Sequence, residues 1–200
     1  AAPIDTYIDV MQVQMGSGRI GYLHTSPEYE LKKLLAQGSG DIYQMSHVFR
    51  AGEEGPRHCP EFTMVEWYRV GMDYEPFIQE TLDFIRLFLP DLPSEILTYR
   101  EAFLRFAQID YINDDLTPHL LPFSSTAKDW DRDTQLNLLF SHIIEPHLGQ
   151  GRLTVITDYP ASQASLAKAI LVDGIKVGHR FEVYHQGIEL ANGFDELTDP

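Results

Sequence analysis

The sequence predicts an α+β protein whose sheet is mainly antiparallel and is flanked by helices. Two apolar-aromatic runs, Val48-Phe49 and Phe62 to Tyr68, flank a charged loop and read as strands. Two further strand-like runs are joined by Gln186-Gly187, a plausible two-residue hairpin turn. Between these pairs, over about 74–150, apolar residues recur at helical spacing and predict a helical insertion.

The elements before the charged loop follow from local signals. Thr25 or Ser26 is a natural N-cap, and Pro27 is a natural first residue of a helix. Gly38 and the residues that follow it end that helix. Alternating or β-branched residues predict extended or strand structure in three stretches: 1–14, 20–23 and 42–49.

The helical insertion begins with an amphipathic helix, which Pro90 ends. Asp131 or Asp133 is a suitable N-cap for a later helix that stops before Pro146. In order we expect a helix over 74–89, a connection over 90–98, a helix over 99–107, loops over 108–130, a helix over 136–144, a buried strand over 153–157 and a turn into a small helix over 159–168.

Composition sets the class of protein. With 200 residues, 44% of them hydrophobic, the chain can form one domain with a proper core, so we expect residues 1–200 to be a single domain. No apolar run approaches the roughly 18–20 residues of a membrane span, and the N-terminal residues lack the features of a signal peptide. One cysteine cannot form an internal disulfide, which fits the cytoplasm.

The net charge of -15 restricts the choice of ligand. Nucleic-acid binding depends on Lys and Arg, and this chain has 15 of them against 30 acidic residues. A small cationic substrate, in contrast, is attracted by negative potential. None of the eight histidines forms an H-x-x-x-H unit, and there is no C-x-x-C unit, which disfavours a zinc site.

The strand after the charged loop carries an acid in an unusual place. Strict alternation puts Phe62, Met64, Glu66 and Tyr68 on one face, so that Glu66 lies between Met and Tyr. A merely solvated acid is not expected there. The alternative is a surface hairpin with a charged tip, and the residues alone leave both interpretations open.

The stretch HVFRAGEEGPRHCPEFTMVEWYR resembles motif 2 of the class II aminoacyl-tRNA synthetases in their lysyl-type form. More narrowly it resembles the elongation factor P–lysine ligases, paralogues of lysyl-tRNA synthetase without its anticodon-binding domain. The resemblance implies a class II synthetase-like catalytic domain in which Arg50 contacts the α-phosphate of ATP. A planar guanidinium suits that role because it can hold a phosphate oxygen and a carboxylate together.

The same resemblance implies the other ATP contacts of this loop, in which Glu53 also has a catalytic role. Two positions depart from the family pattern: Glu53 comes one place late, and Cys59 replaces an Asn. The implied ATP-binding residues of the loop are Arg50, Gly52, Glu53, His58 and Cys59.

Two more segments match the family. The words TSPEYELKKLL and ELANGF-x-EL correspond to the amino-acid pocket and to a segment diagnostic of lysyl-type enzymes. By resemblance, Glu189 holds Mg²⁺ and binds ATP with Leu190 and Asn192, and Glu196 binds the substrate ammonium. The implied substrate-binding residues are Ser26, Pro27, Glu28, Glu66, Tyr68 and Glu196. For the first segment the alternative is a well-capped helix in which Glu28 interacts with the helix dipole.

Electrostatics supports the same function. Glu66, Glu189 and Glu196 are expected on inner strands, where carboxylates are expensive to bury unless cations compensate them. Mg²⁺ and a doubly charged lysine are such cations. The hairpin turn also predicts that Tyr184 pairs with Glu189.

The resemblance therefore favours a cytoplasmic ligase that uses ATP and Mg²⁺ to activate lysine or β-lysine and transfers it to a lysine of elongation factor P. A lysyl-tRNA synthetase core is the first alternative, but the acidic balance makes tRNA an unlikely partner. The second is an inactive paralogue that binds an amino acid or a partner protein. Motifs 1 and 3 of the family are not found in the chain, which therefore resembles the middle of a larger domain, and in the intact protein we expect a homodimer.

Overall fold

The structure, a computed structural model, describes residues 8–52, 54, 55 and 58–198. The chain divides into two compact units, Ala1–Met72 and Asp73–Pro200. The α+β prediction with a mainly antiparallel sheet is confirmed, whereas the single-domain prediction stays a prediction. No helix in the described part of the chain is long and apolar enough to cross a membrane.

The described part of the first unit contains two hairpins and one helix. Strand β1 (Gln12–Gln14) pairs antiparallel with β2 (Ile20–Tyr22). Strand β3 (Ile42–Phe49) pairs antiparallel with β4 (Glu61–Tyr68) over its whole length. These strands and the helix α1 (Glu28–Ala36) confirm the predictions for this region, except that residues 1–7 of the predicted extended segment lie outside the described residues.

Helix α1 begins one residue later than the sequence predicts. Pro27 immediately precedes it, and the Ser26 Oγ accepts a hydrogen bond of 2.9 Å from the backbone N–H of Glu28. Ser26 therefore orders the turn that leads into the helix, as an N-terminal Ser commonly does. At the other end Gly38 has φ +85, and the N–H of Ser39 bonds to the carbonyl of Leu34 at 3.1 Å, which is typical of a Schellman motif.

The second unit is built on a five-stranded sheet. Its longest strand, β8 (Ile175–His185), pairs antiparallel with β6 (Leu153–Pro160), with β7 (Ala169–Val172) and with β9 (Ile188–Phe194). Strand β5 (Ser94–Thr98) completes the sheet and runs parallel to β6.

Two predictions for this sheet are wrong. Residues 90–98 contain β5, where a connection was predicted. The turn after β6 is a 3₁₀ turn, Ala161–Gln163, followed by β7 and not by a small helix. Strand β5 has only five residues and follows Pro90 and Pro93, so it gives little local strand signal. Its pairing with β6 joins distant parts of the sequence.

Helix α2 (Tyr74–Arg86) packs its apolar face on the sheet. Its buried residues Ile78, Leu82 and Ile85 form one core cluster with Phe181 and Val183 of β8. The helix ends three residues before the predicted end at residue 89. The predicted helix over 74–89 includes Phe88, at the spacing of the apolar face, but this residue lies beyond the end of the helix and its side chain is 72% exposed.

A second core cluster lies around the remaining helices of the insertion. Helix α3 (Tyr99–Ala102) continues into a π-helical turn to Ala107, which confirms the helix predicted over 99–107. A short helix, α4 (Thr117–Leu120), interrupts the predicted loops. Helix α5 (Arg132–Leu139) starts earlier than predicted because the Asp131 carboxylate caps it by accepting from the N–H of Thr134. The largest fully buried residues of this cluster include Tyr99, Phe103, Leu139 and Ile144.

Candidate active site

The first unit holds a half-buried carboxylate, that of Glu66 in the middle of β4. Its Oε1 accepts a hydrogen bond of 2.8 Å from the Tyr68 hydroxyl, and its Oε2 accepts one of 3.0 Å from the Ser26 hydroxyl. Tyr68 reaches it because residues two apart in a strand share a face. The prediction that Glu66 and Tyr68 lie together is therefore confirmed, and Ser26 joins them from the turn before α1.

The charge around Glu66 is unbalanced. Burial raises the pKa of the Glu66 carboxyl, whereas the hydroxyls of Tyr68 and Ser26 lower it; the charge of Glu28 raises it further and that of Lys32 lowers it. Lys32 is itself paired with Glu28, its Nζ lying 2.6 Å from a Glu28 oxygen. Among the described residues of this region, two carboxylates thus lie near one ammonium, which suits the binding of a further cation.

Pro27 has a different role from its neighbours. It is buried, and its carbonyl accepts hydrogen bonds from the N–H groups of Glu30 and Leu31 at 3.1 and 3.0 Å. It therefore fixes the first turn of α1, on which Glu28 sits, and offers no charged group to a ligand.

Arg50 stands where β3 passes into the charged loop. Its backbone N–H donates to the carbonyl of Pro60 at 2.9 Å and closes the base of the loop. Its guanidinium lies 5.3 Å from the centroid of the Phe62 ring, a cation–π distance that keeps the group on this face of the hairpin. Gly52 has φ +76, a conformation that only glycine adopts without strain.

The described residues at the tip of the loop are exposed. Gly55 and His58 form a small antiparallel bridge with hydrogen bonds of 3.2 and 3.3 Å, and both His58 and Cys59 are exposed. The predicted catalytic residue Glu53 lies outside the described residues. The ATP contacts predicted for this loop therefore stay predictions.

In the second unit, the hairpin of β8 and β9 carries the predicted ATP residues. Tyr184 pairs with Glu189, as the turn at Gln186-Gly187 predicts. The next pair joins Val183 to Ala191, so the register shifts by one residue and Leu190 is the extra residue of a β-bulge. The expected burial of Glu189 is wrong: Glu189, Leu190 and Asn192 are all exposed.

The sequence reasoning missed Glu182, which is only 8% exposed. Its Oε2 accepts hydrogen bonds from the hydroxyls of Tyr159, at 2.5 Å, and Tyr184, and its Oε1 accepts from the Arg180 guanidinium. These donors satisfy a buried charge that would otherwise be costly. The alternation that identified Glu66 could also have found Glu182, since RFEVYH places it between Arg180 and Tyr184 on one face.

Glu196 lies just beyond the end of β9, where it forms an isolated bridge with Ala167, and it is half-buried. The predicted substrate-binding residues thus fall in both units: Ser26, Pro27, Glu28, Glu66 and Tyr68 in the first, and Glu196 in the second. That they form one pocket stays a prediction.

The described residues contain no group of three or more His, Cys, Asp or Glu side chains arranged to hold a metal. Mg²⁺ does not require such a group, because it usually binds one or two carboxylates together with substrate phosphates and waters. The exposed carboxylate of Glu189 fits that kind of site. In the β8–β9 register Glu182 shares its face with Glu189 and is the second carboxylate there.

Comparison with known proteins agrees with the resemblance found in the sequence. The family described as tRNA synthetases class II (D, K and N) matches residues 8–200. The elongation factor P–(R)-β-lysine ligase of Salmonella typhi is 48% identical over 184 residues, which is 89% of this chain and 56% of that protein. The protein of the same name from Edwardsiella ictaluri is 46% identical over 191 residues, 92% of this chain and 58% of that protein. The chain therefore spans a little over half the length of these relatives.

Proposed function

The chain belongs to the class II tRNA synthetases of the D, K and N type, and from this premise we propose that it activates lysine or β-lysine with ATP. The carboxylate of the amino acid attacks the α-phosphorus of ATP, a new oxygen–phosphorus bond forms, and pyrophosphate leaves. The amine of a lysine side chain on elongation factor P then attacks the adenylate carbonyl. AMP leaves, the amine loses a proton, and an amide bond is formed.

The observation that carries the proposal is the environment of Glu66. Among the described residues its oxygens accept only from two neutral hydroxyls, and Glu28 lies near enough to raise its pKa. A carboxylate held half-buried without an ammonium or guanidinium of its own is suited to bind the cationic group of a ligand. Lysine and β-lysine each carry two ammonium groups, whereas a neutral amino acid would leave this charge unmatched.

Arg50 would act on the other substrate. Its guanidinium can donate to an α-phosphate oxygen and to the attacking carboxylate, and so oppose the repulsion between two anions. The backbone bond at the base of the loop and the Phe62 ring limit its movement. Catalysis would consist of positioning and charge neutralisation by these residues.

Glu189 would hold Mg²⁺, with Glu182 as the second carboxylate of that face and Leu190 and Asn192 next to the nucleotide. The metal when bound would neutralise charge on the phosphates of ATP. The Tyr159, Tyr184 and Arg180 contacts would hold Glu182 fixed in orientation.

Elongation factor P is proposed as the acceptor because the similar proteins of Salmonella typhi and Edwardsiella ictaluri are named for it. The charge of the chain agrees with a protein acceptor better than with tRNA, since 30 acidic residues oppose 15 basic ones.

The test is exchange of labelled pyrophosphate into ATP, with α-lysine, β-lysine and glutamate offered separately. It uses the chain as it stands, the complete reading frame that contains it, and Glu196→Gln in both. We expect exchange with a lysine-type substrate alone and its loss in the variant. Exchange with glutamate, or none from either length of protein, would refute the proposal. Adding elongation factor P or tRNA to the isolated adenylate then identifies the acceptor.

A further inference from the structure

Three side chains of the second unit lie on one face of the segment that carries Glu196. We propose that Lys168, Asp195 and His179 form a clamp that positions Glu196 for the substrate ammonium without touching the substrate themselves. The proposal rests on the function proposed above, because it takes Glu196 as the ammonium-binding residue.

The backbone ties Asp195 to both of its neighbours. The N–H of Asp195 donates to the carbonyl of His179 at 2.9 Å, and the N–H of Lys168 donates to the carbonyl of Asp195 at 2.8 Å. The N–H of His179 in turn donates to the carbonyl of Lys168 at 2.8 Å. On the far side of Glu196, the N–H of Leu197 donates to the carbonyl of Leu166 at 2.8 Å. The residues before and after Glu196 are thus both held, although β9 ends at Phe194.

The Asp195 carboxylate repeats this connection with its side chain. One oxygen lies 2.9 Å from the Lys168 ammonium, and the other lies 3.4 Å from Nδ1 of His179. The imidazole of His179 is fixed by the ring of Tyr74 in α2, the ring centroids being 3.7 Å apart. The Asp195 carboxylate is therefore bonded to the segment before β7 and to strand β8, and the His179 ring in turn contacts helix α2.

The clamp and Glu196 lie on opposite faces of the segment. Asp195 stands beside His179, on the β8 face that carries Phe181 and Val183 and packs on α2. The next residue of an extended chain points the other way. Glu196 consequently faces the side of Arg180 and Glu182, so a change in the clamp reaches the substrate only through the backbone.

This cluster contributes little to the stability of the fold. The side chains of Lys168 and Asp195 are 40% and 36% exposed, and ion pairs with such access to water contribute little to folding. The direction of the Glu196 carboxylate depends on how firmly its backbone is held, and the Asp195 carboxylate next to it bonds to two segments, at Lys168 and at His179.

The experiment compares Asp195→Asn and Lys168→Met with the native protein in pyrophosphate exchange, varying lysine and ATP separately. Asp83→Asn is the matched control, because Asp83 forms an exposed ion pair with Arg86 on α2. We expect the KM for lysine to rise by about 10-fold to 100-fold, the upper figure being that of a displacement of roughly 1 Å. The KM for ATP and the control should not change, and Lys168→Arg should restore most of the lysine affinity.

A lysine KM that stays within about twofold of the native value in both variants would overturn the clamp, since displacing a binding group costs far more. So would a parallel change in both KM values and in kcat, which indicates general loss of structure. Hydrogen exchange at the amides of 195–197 gives a readout independent of activity: protection should fall in Asp195→Asn and not in the control. If the native protein shows no exchange of pyrophosphate, the proposed function fails, and amide protection alone then decides whether the clamp exists.

Discussion

The sharpest test of the Glu66 site is the substitution Glu66→Gln. Glutamine has nearly the same size as glutamate, and its amide group can still bond to the hydroxyls of Tyr68 and Ser26, which can donate or accept. The substitution therefore removes the negative charge and leaves the packing of β4 in place. Any effect on substrate binding can then be assigned to charge.

Affinity and stability should respond in opposite directions. A hydrogen bond to a charged group contributes about 1.5–3 kcal/mol, so its loss should weaken lysine binding by about 10- to 150-fold. Burial raises the pKa of Glu66 above 4.5 in the folded protein. The contribution of this carboxyl to the stability of the native protein is therefore greatest below pH 4.5. It falls as pH rises through the folded pKa. At pH 7 the glutamine variant should thus be as stable as the native protein or more stable, by less than about 1 kcal/mol given the partial exposure.

The assay measures the KM for lysine in pyrophosphate exchange and the unfolding free energy in urea at pH 7 and pH 4. Glu61→Gln is the matched control: it lies on the same strand, and its exposed side chain pairs with His47 at 2.8 Å. The control should leave unchanged the KM for lysine and the part of the pH dependence of stability that Glu66 causes. An unchanged lysine KM in Glu66→Gln, or a loss of stability above about 1 kcal/mol at pH 7, would refute the assignment of Glu66 as a cation-binding carboxylate.

Three more predictions concern other parts of the molecule. Arg50→Lys should lower the exchange rate by about 10²- to 10³-fold, since an ammonium cannot replace a planar guanidinium; Arg69→Lys, whose ion pair is partly exposed, should not. Asp110→Asn should lower stability at pH 7. The difference should shrink as pH falls below 3.8 and disappear below the pKa of about 2 that the neighbouring arginine gives Asp110, as urea unfolding across that range will show. Gly149→Ala and Gly151→Ala both place a side chain at positive φ, at a cost of about 1–2 kcal/mol. The first should destabilise clearly more, because its Cβ would lie 2.4 Å from a backbone atom of β8, whereas nothing lies within 4 Å of the second; urea unfolding of the two variants measures the difference.

Local patterns predicted the parts of the fold that depend on neighbours in the sequence. Alternation gave β4 and the shared face of Glu66 and Tyr68, because side chains in a strand point to alternate sides whatever the strand pairs with. The two-residue turn at Gln186-Gly187 gave the pairing of Tyr184 with Glu189, because so short a loop leaves few registers. Apolar spacing and Pro90 predicted the first helix of the insertion, and an Asp cap predicted the last, each within a few residues of its observed bounds.

The elements that were missed depend on contacts between distant parts of the chain. Strand β5 is five residues long and gains its hydrogen bonds from β6, which lies beyond the whole insertion. Strand β7 pairs with residues 175–178 of β8, which the sequence reasoning did not recognise as strand. Phe88 fits the apolar period of α2, but the helix ends before it, so periodicity alone could not show on which side it lies.

The faces of the β9 residues depend on a feature that period-two reasoning cannot contain. The two-residue turn pairs Glu189 with Tyr184, and the β-bulge at Leu190 then adds one residue, so that Asn192, three positions after Glu189, shares the face of Tyr184 and Glu182. Without the extra residue Asn192 would fall on the other face. This face thus carries an accessible carboxylate, Glu189, and a buried one, Glu182, whose donors hold it in place. Such a pair suits a metal that must bind the protein firmly and still accept phosphate oxygens, and this arrangement explains better than uniform burial why the acids of β8 and β9 have such different surroundings.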